Sequence, residues 1–165
     1  LSGTGSGQPQ GAMYASTKGK DAAAASAVSS ADVLGLYYSL SQPYRDGAVW
    51  VMRGTTEGAI RSIAGNNFSF ANTPQASVGG IGLSTLVGNQ RVFNSDEIVA
   101  LATSTKSILF GNFNFYTIVQ RRAITIKRLT ERFAEVGQVG FLASERVGGI
   151  ITQAEAFMHL LNPSA

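Results

Sequence analysis

Residues 107–149 hold the pattern that most limits what this chain can become. Ile108, Leu109 and Phe110 make a short apolar run that stops at Gly111. Beyond it, Thr117–Gln120 and Ile124–Leu129 are β-branched and alternate, as strands with one buried face do. Val139, Phe141, Ala143 and Val147 share one phase of a two-residue repeat, with Gln138, Ser144 and Arg146 opposite. The joints are Arg121–Arg122 and the segment TERFAEVG, which puts charge at bends and on outward faces. The expectation is a long sheet without catalytic residue types on it, serving as a scaffold or an assembly surface.

The remainder of the chain supplies helices. Residues 2–11 hold Gly3, Gly5, Gly7, Pro9 and Gly11 and read as a permissive loop. Small residues follow, with an extended segment expected around Ala23–Val28. Ser29 or Ser30 caps a helix with Asp32 in its first turn and Val33, Leu36, Tyr37 and Leu40 as its apolar stripe. Pro43 and Gly47 end it, and Ala48–Met52 reads as a buried strand. Thr55 or Thr56 is expected to cap a second helix, with Glu57 at its positive end and Ala59, Ile60 and Ile63 inward. From Gly65 to Gly88 the chain is rich in Gly, Asn and Ser, the mark of a long loop or short edge strands. A turn at Gly88–Asn89 leads to a strand at Arg91–Phe93. Helices alternating with strands, then strands in series, predict an α+β architecture with a mixed or antiparallel sheet.

Composition removes several function classes. The 165 residues suit one domain, or one domain and part of another, and charged residues make up only 14%. So low a charged fraction hints that other subunits cover some surface, although core size is an equal explanation. The net charge of +3 is too small for a dedicated nucleic-acid binder with a basic stripe. Without cysteine there is neither a disulfide scaffold nor a thiolate metal site. No apolar run nears the roughly 18 residues of a membrane span. Leu1 stands where an initiator Met would, and no signal-peptide regions follow, so the sequence is expected to start mid-protein.

Four motifs invite a chemical reading. GTGSG lacks the Gly-Lys-Ser/Thr of a phosphate loop and the strand that precedes a dinucleotide fingerprint. Tyr14 and Lys18 match the Tyr-x-x-x-Lys pattern of short-chain dehydrogenases, where Lys lowers the Tyr pKa, but that pattern needs a helix and a nucleotide-binding half upstream. His159 is the single histidine, set among Met158, Leu160 and Leu161, and reads as structural. Asp96–Glu97 reads as a solvated turn. No catalytic, cofactor or metal residues are assigned. Arg121, Arg122, Lys127, Arg128 and Arg132 form a local basic set, suited to nucleic acid, an acidic neighbouring subunit, or a solvated strand edge that discourages pairing.

Five stretches, in order, carry a family resemblance: GTGSGQPQG; SADVLGLYYSL with YRDGAVWVM; TLVGNQRVFNSD; ILFGNF with YTIVQRRAITI; and GQVGFLASERVGGIITQAEAF. Together they resemble the C-terminal part of major capsid proteins of tailed phages and prophages, which adopt the Hong Kong ninety-seven fold. The resemblance implies a Gly-rich opening loop at 1–11, an axial domain at 12–116 with a mixed sheet and flanking helices, peripheral-domain strands at 117–151, and a C-terminal strand or tail at 152–165. Family members carry an N-terminal arm, an extended loop and a long spine helix ahead of the Gly-rich segment, and these are expected upstream of Leu1. One apolar face of the peripheral strands is then expected to be exposed, or covered by a neighbouring copy.

The resemblance also implies partners: further copies forming pentamers and hexamers, packaged double-stranded DNA held by weak nonspecific contact, and a scaffold, portal and protease during assembly. It implies no membrane and no cofactor, and a location in the virion, with host cytoplasm during assembly. Arg121, Arg122, Arg128 and Arg132 become candidates for intersubunit ion pairs. The 65–88 segment becomes a candidate axial loop that orders in the capsomer. Some relatives crosslink through a Lys–Asn bond promoted by Glu; here the Asn position falls near Gly137 and the Glu near Ser144, so no crosslink is expected, although a slip of one would bring Glu145 there. Three rivals stand beside this reading: the shell of a bacterial protein compartment of the same fold, an oxidoreductase using Tyr14 and Lys18, and a basic DNA-binding module.

Overall fold

The computed structural model describes residues 1–63, 85–87, 90–129, 135 and 137–164. The chain opens in a tight loop in which Thr4 bridges Gln10 and the Gly11 N–H donates to the Gly3 carbonyl at 2.7 Å. Gly5 and Gly7 adopt φ of 85° and 69°, which glycine reaches without the penalty a Cβ brings. One helical turn, α1 (Ala12–Ala15), leads into β1 (Thr17–Asp21). The extended segment expected at Ala23–Val28 is therefore displaced: the strand lies earlier, and no strand or helix covers residues 22–28. β1 escapes an apolar-pattern reading because TKGKD is an edge strand whose charged side chains face solvent.

Helix α2 (Ser30–Ser39) begins in a capping box. Ser29 Oγ accepts from the Asp32 N–H at 3.3 Å, and the Asp32 carboxylate accepts from the Ser29 N–H at 2.9 Å. The same carboxylate accepts from the Ala23 N–H at 3.2 Å, so this buried acid is satisfied. A short α3 (Gln42–Arg45), with Pro43 in its first turn, precedes β2 (Val49–Met52). Helix α4 (Gly54–Arg61) follows from Arg53 as N-cap, not from Thr55 or Thr56. Thr56 is instead buried inside the helix beside Glu57 and Ile60, whereas Ala59 is exposed. After it come β3 (Thr85–Leu86), β4 (Gln90–Asn94) and β5 (Lys106–Gly111). The Gly88–Asn89 turn and most of the 65–88 loop reading lie outside the described residues.

The last strand, β8 (Phe157–Leu161), completes a mixed six-stranded sheet of order β1-β8-β5-β2-β4-β3. β1 runs parallel to β8 and β2 parallel to β4; the other neighbours are antiparallel. β5 sits near the centre and is covered on both faces, which explains its unbroken apolar run. Ile108 and Phe110 join Trp50, Met52, Leu160 and α2 residues Val33 and Leu36 in one core. Leu109 points the other way, to Val51, Met13, Ile98 and Phe157. Trp50 and Phe110, cross-strand partners, stack at 4.2 Å between centroids.

Strands β6 (Tyr116–Leu129) and β7 (Gly140–Ile151) form a separate antiparallel ribbon. The sequence reading merged 107–149 into one sheet; the structure divides it, with Lys106–Gly111 in the body and the rest in the ribbon. Arg121–Arg122 is likewise not a joint between two strands. The ladder runs through it, shifting register between Gln120 and Arg122 and again between Arg122 and Thr125. At each shift β6 holds one residue more than β7, the mark of a bulge.

Candidate assembly surface

At about 3.4 Å per residue the 14-residue β6 reaches roughly 45 Å, far longer than any strand of the body. Its base is fastened to the opening loop. Tyr116 Oη donates to the Gln10 carbonyl at 2.6 Å, and the Gln10 N–H donates to the Gly149 carbonyl at 2.8 Å. Gly149 is needed there, because a Cβ would collide with the Tyr116 hydroxyl.

Alternation along β7 and the cross-strand register define two faces. One carries Ile118, Ile126, Phe141 and Val147, with Gln120 Nε2 donating to Glu145 Oε1 at 2.7 Å. The other carries Val119, Leu142 and Ile150 together with Arg122, Lys127 and Arg146. Neither face is covered: Phe141 is 71%, Ile118 69% and Ile126 67% exposed. The expectation of one open apolar face is therefore exceeded. A two-stranded ribbon with apolar residues on both sides is not a stable end state in water.

Three of the four arginines singled out from sequence are described, and all three are on this ribbon. Arg121 and Arg122 lie at the double bulge, and Arg128 pairs in register with Phe141. Arg132 falls outside the described residues. Arg122 faces Arg146 directly across the ladder, and the two line an open cleft of about 340 Å³ with Arg121, Ser144 and Glu145. Like charges in opposed positions repel. Among the described residues none of these arginines has a carboxylate within ion-pair distance; the ion pairs found are Lys18–Asp21, Arg53–Asp96 and Arg61–Glu57. Sequence reasoning passed over Arg146 as a member of the group. Its place opposite Arg122 depends on the register shift between Arg122 and Thr125, which the sequence does not announce.

The chemical motifs resolve otherwise. Tyr14 is on α1 and Lys18 on β1, where its ammonium pairs with Asp21 at 3.0 Å, so no single helix aligns them. His159 is buried in β8 with Nδ1 2.9 Å from Ser16 Oγ. Burial first, and the Lys106 ammonium second, hold its pKa down at about 4. Burial also lowers Lys106, whose Nζ donates to the Met13 carbonyl at 3.0 Å. This is a satisfied core cluster joining α1 to the sheet. Asp96 and Glu97 lie on an exposed turn. Among the described residues no group of His, Asp or Glu could hold a metal, and no helix is long and apolar enough to cross a membrane.

Comparison with known proteins bears on this surface. A family model described as the phage capsid family matches residues 1–161. The chain is similar in structure to the capsid of a native GTA particle, with a TM-score of 0.78 and 26% identity, covering 99% of this chain and 59% of that one. It also resembles the holo-SrpI encapsulin complex from Synechococcus elongatus PCC 7942, with a TM-score of 0.63 and 16% identity over 94% of this chain and 57% of that one. A third likeness is to a structure of Gordonia phage Cozz, with a TM-score of 0.59 and 10% identity over 93% and 52% of the two chains. At 16% and 10% identity the last two speak for the fold alone. The chain thus spans somewhat more than half the length of these structures. A search of curated proteins finds no match.

Proposed function

The chain belongs to the phage capsid family, and on that footing we propose that it forms the axial body and peripheral strands of a major capsid subunit of a tailed double-stranded-DNA phage or prophage. Its fold is of the Hong Kong ninety-seven type, α+β with a mixed sheet. The role is structural and not enzymatic: copies associate into pentamers and hexamers that close into a shell around the genome. In this reading residues 12–116 make the axial domain, 117–151 the peripheral strands, and 152–165 carry β8 back to the axial sheet. Scaffold, portal and protease act during assembly in the host cytoplasm, and DNA is held by nonspecific contact.

The observation that carries the reading is the ribbon, long, paired among the described residues only with itself, and apolar on both exposed faces. Covering it supplies the driving force, since each large apolar side chain contributes about 1.5–3 kcal/mol on full burial. An exposed ion pair contributes only about 0–1 kcal/mol. Contacts through Ile118, Ile126, Phe141 and Leu142 therefore dominate, and Arg121, Arg122, Arg128 and Arg132 select the neighbour and its orientation. Closed cyclic symmetry satisfies the ribbons of every copy at once.

The test is expression of the full chain, followed by sedimentation and electron microscopy. Closed particles with fivefold and sixfold clusters are expected, and a protein that stays monomeric at high concentration under all assembly conditions contradicts the reading. A second reading compatible with the same fold is the shell of a bacterial protein compartment. Particle content separates the two: nuclease-protected DNA for the first, protein cargo for the second.

A further inference from the structure

The ribbon carries the chain's excess of positive over negative charge. Its two strands carry five Arg or Lys against one Glu, whereas the remaining residues number eight basic and nine acidic. That asymmetry is concentrated further at the double bulge, where Arg122 opposes Arg146 and Arg121 adjoins them. The neighbouring carboxylate, Glu145, is already bonded by Gln120. A site built this way is incomplete within one chain.

Two partner chemistries could complete it, phosphate or carboxylate. Phosphate leaves the surrounding side chains uncovered: Val119 and Leu142 are more than half exposed and share the face with Arg122 and Arg146. A protein surface offering acid beside apolar area fits both features. The body of this chain has such a surface. Asp96 and Glu97 are adjacent and exposed, and Glu97 lines an apolar groove of about 270 Å³ with Met13, Ile98 and Val99. Two cations stand nearby: Lys106, whose Nζ donates to the Met13 carbonyl, and Arg53, which pairs with Asp96 at 3.8 Å and leaves Glu97 without a cation within ion-pair distance among the described residues.

We propose that the Arg122–Arg146 cleft of one copy docks on the Asp96–Glu97 turn of a second copy, with Val119 and Leu142 seated against the exposed Val99 at the mouth of the groove. The inference rests on the capsid reading and names which surfaces meet. Burial of the apolar side chains supplies adhesion, and the two charge pairs fix register, since a ribbon displaced by two residues would face carboxylates with Ser144 or Gly148. The contact weakens as salt rises, because both charge sets are solvent-accessible until they meet.

The test is a charge exchange in the full chain, with particle formation followed by sedimentation and melting temperature confirming that each variant folds. Arg122→Glu with Arg146→Glu should raise the concentration needed for assembly about tenfold, and Asp96→Lys with Glu97→Lys should do the same. Combining all four should restore assembly to near the unmodified level. Unmodified protein that assembles, with a quadruple variant no better than either double, overturns this docking and leaves the capsid reading standing. Unmodified protein that never assembles overturns both. If the ribbon variant assembles normally but its particles retain less DNA, the cleft is a phosphate site and the docking is wrong.

Discussion

Leu109 and Phe141 are both apolar residues on antiparallel strands, yet Leu109 is fully buried and Phe141 is 71% exposed. The difference lies in what stands on either side of each strand. β5 has a hydrogen-bonded neighbour on both edges and packed side chains on both faces. Among the described residues β6 and β7 have only one another as strand neighbours. The body therefore completes its burial within one chain, whereas the ribbon presents the same kind of residues without a counterpart. On the proposed function, stability belongs to the first region and association to the second.

Mutations can break that division, and the largest effect belongs to the body. Phe110→Ala should cost about 3–5 kcal/mol in chemical denaturation, because it removes the stacking partner of Trp50 from a closed core. An equal loss from Phe141→Ala would show that the ribbon is internally packed and defeat the comparison. Second in size is the response to acid. His159 has a folded pKa of about 4 against an ordinary 6.5, so the unfolded chain binds a proton that the folded one refuses. The stabilising difference is complete above pH 6.5 and is lost as pH falls towards 4, amounting to about 3 kcal/mol. Melting temperature against pH should show this fall, and His159→Gln should flatten it.

Smaller effects sharpen the boundary. Ser29→Ala removes the hydroxyl of the capping box and should cost about 1 kcal/mol of body stability without altering assembly. Phe141→Ser with Ile126→Ser should change monomer stability by no more than about 0.5 kcal/mol yet abolish particle formation. A denaturation midpoint and a sedimentation profile on the same sample give both readings.

What was legible in the sequence follows the same line. α2 could be read because Ser29 and Asp32 cap it locally, and β2 and β5 because burial on both faces leaves unbroken apolar runs. β1 could not, since TKGKD earns its strand from backbone pairing with β8, far away in sequence. The start of α4 was missed because Arg53 caps it without a side-chain hydrogen bond, and Thr56 looked like a cap while lying inside. On the ribbon, Arg121, Arg122 and Arg128 were visible as charges interrupting an alternating pattern. Their grouping with Arg146 was not, because it depends on the register of the ladder.

The two bulges of β6 have a consequence for how the ribbon tolerates change in length. One extra residue exchanges the two sides of everything beyond it; a second exchanges them back. Ile118 near the base and Ile126 towards the tip share a side because the number of insertions between them is even. Loss of Ala123 alone would turn the tip over, sending Ile126 and Lys127 each to the other's side. Loss of two residues across the bulge would leave the sides matched and only straighten the arm. Length variation in this arm is thus permitted in even steps and penalised in odd ones.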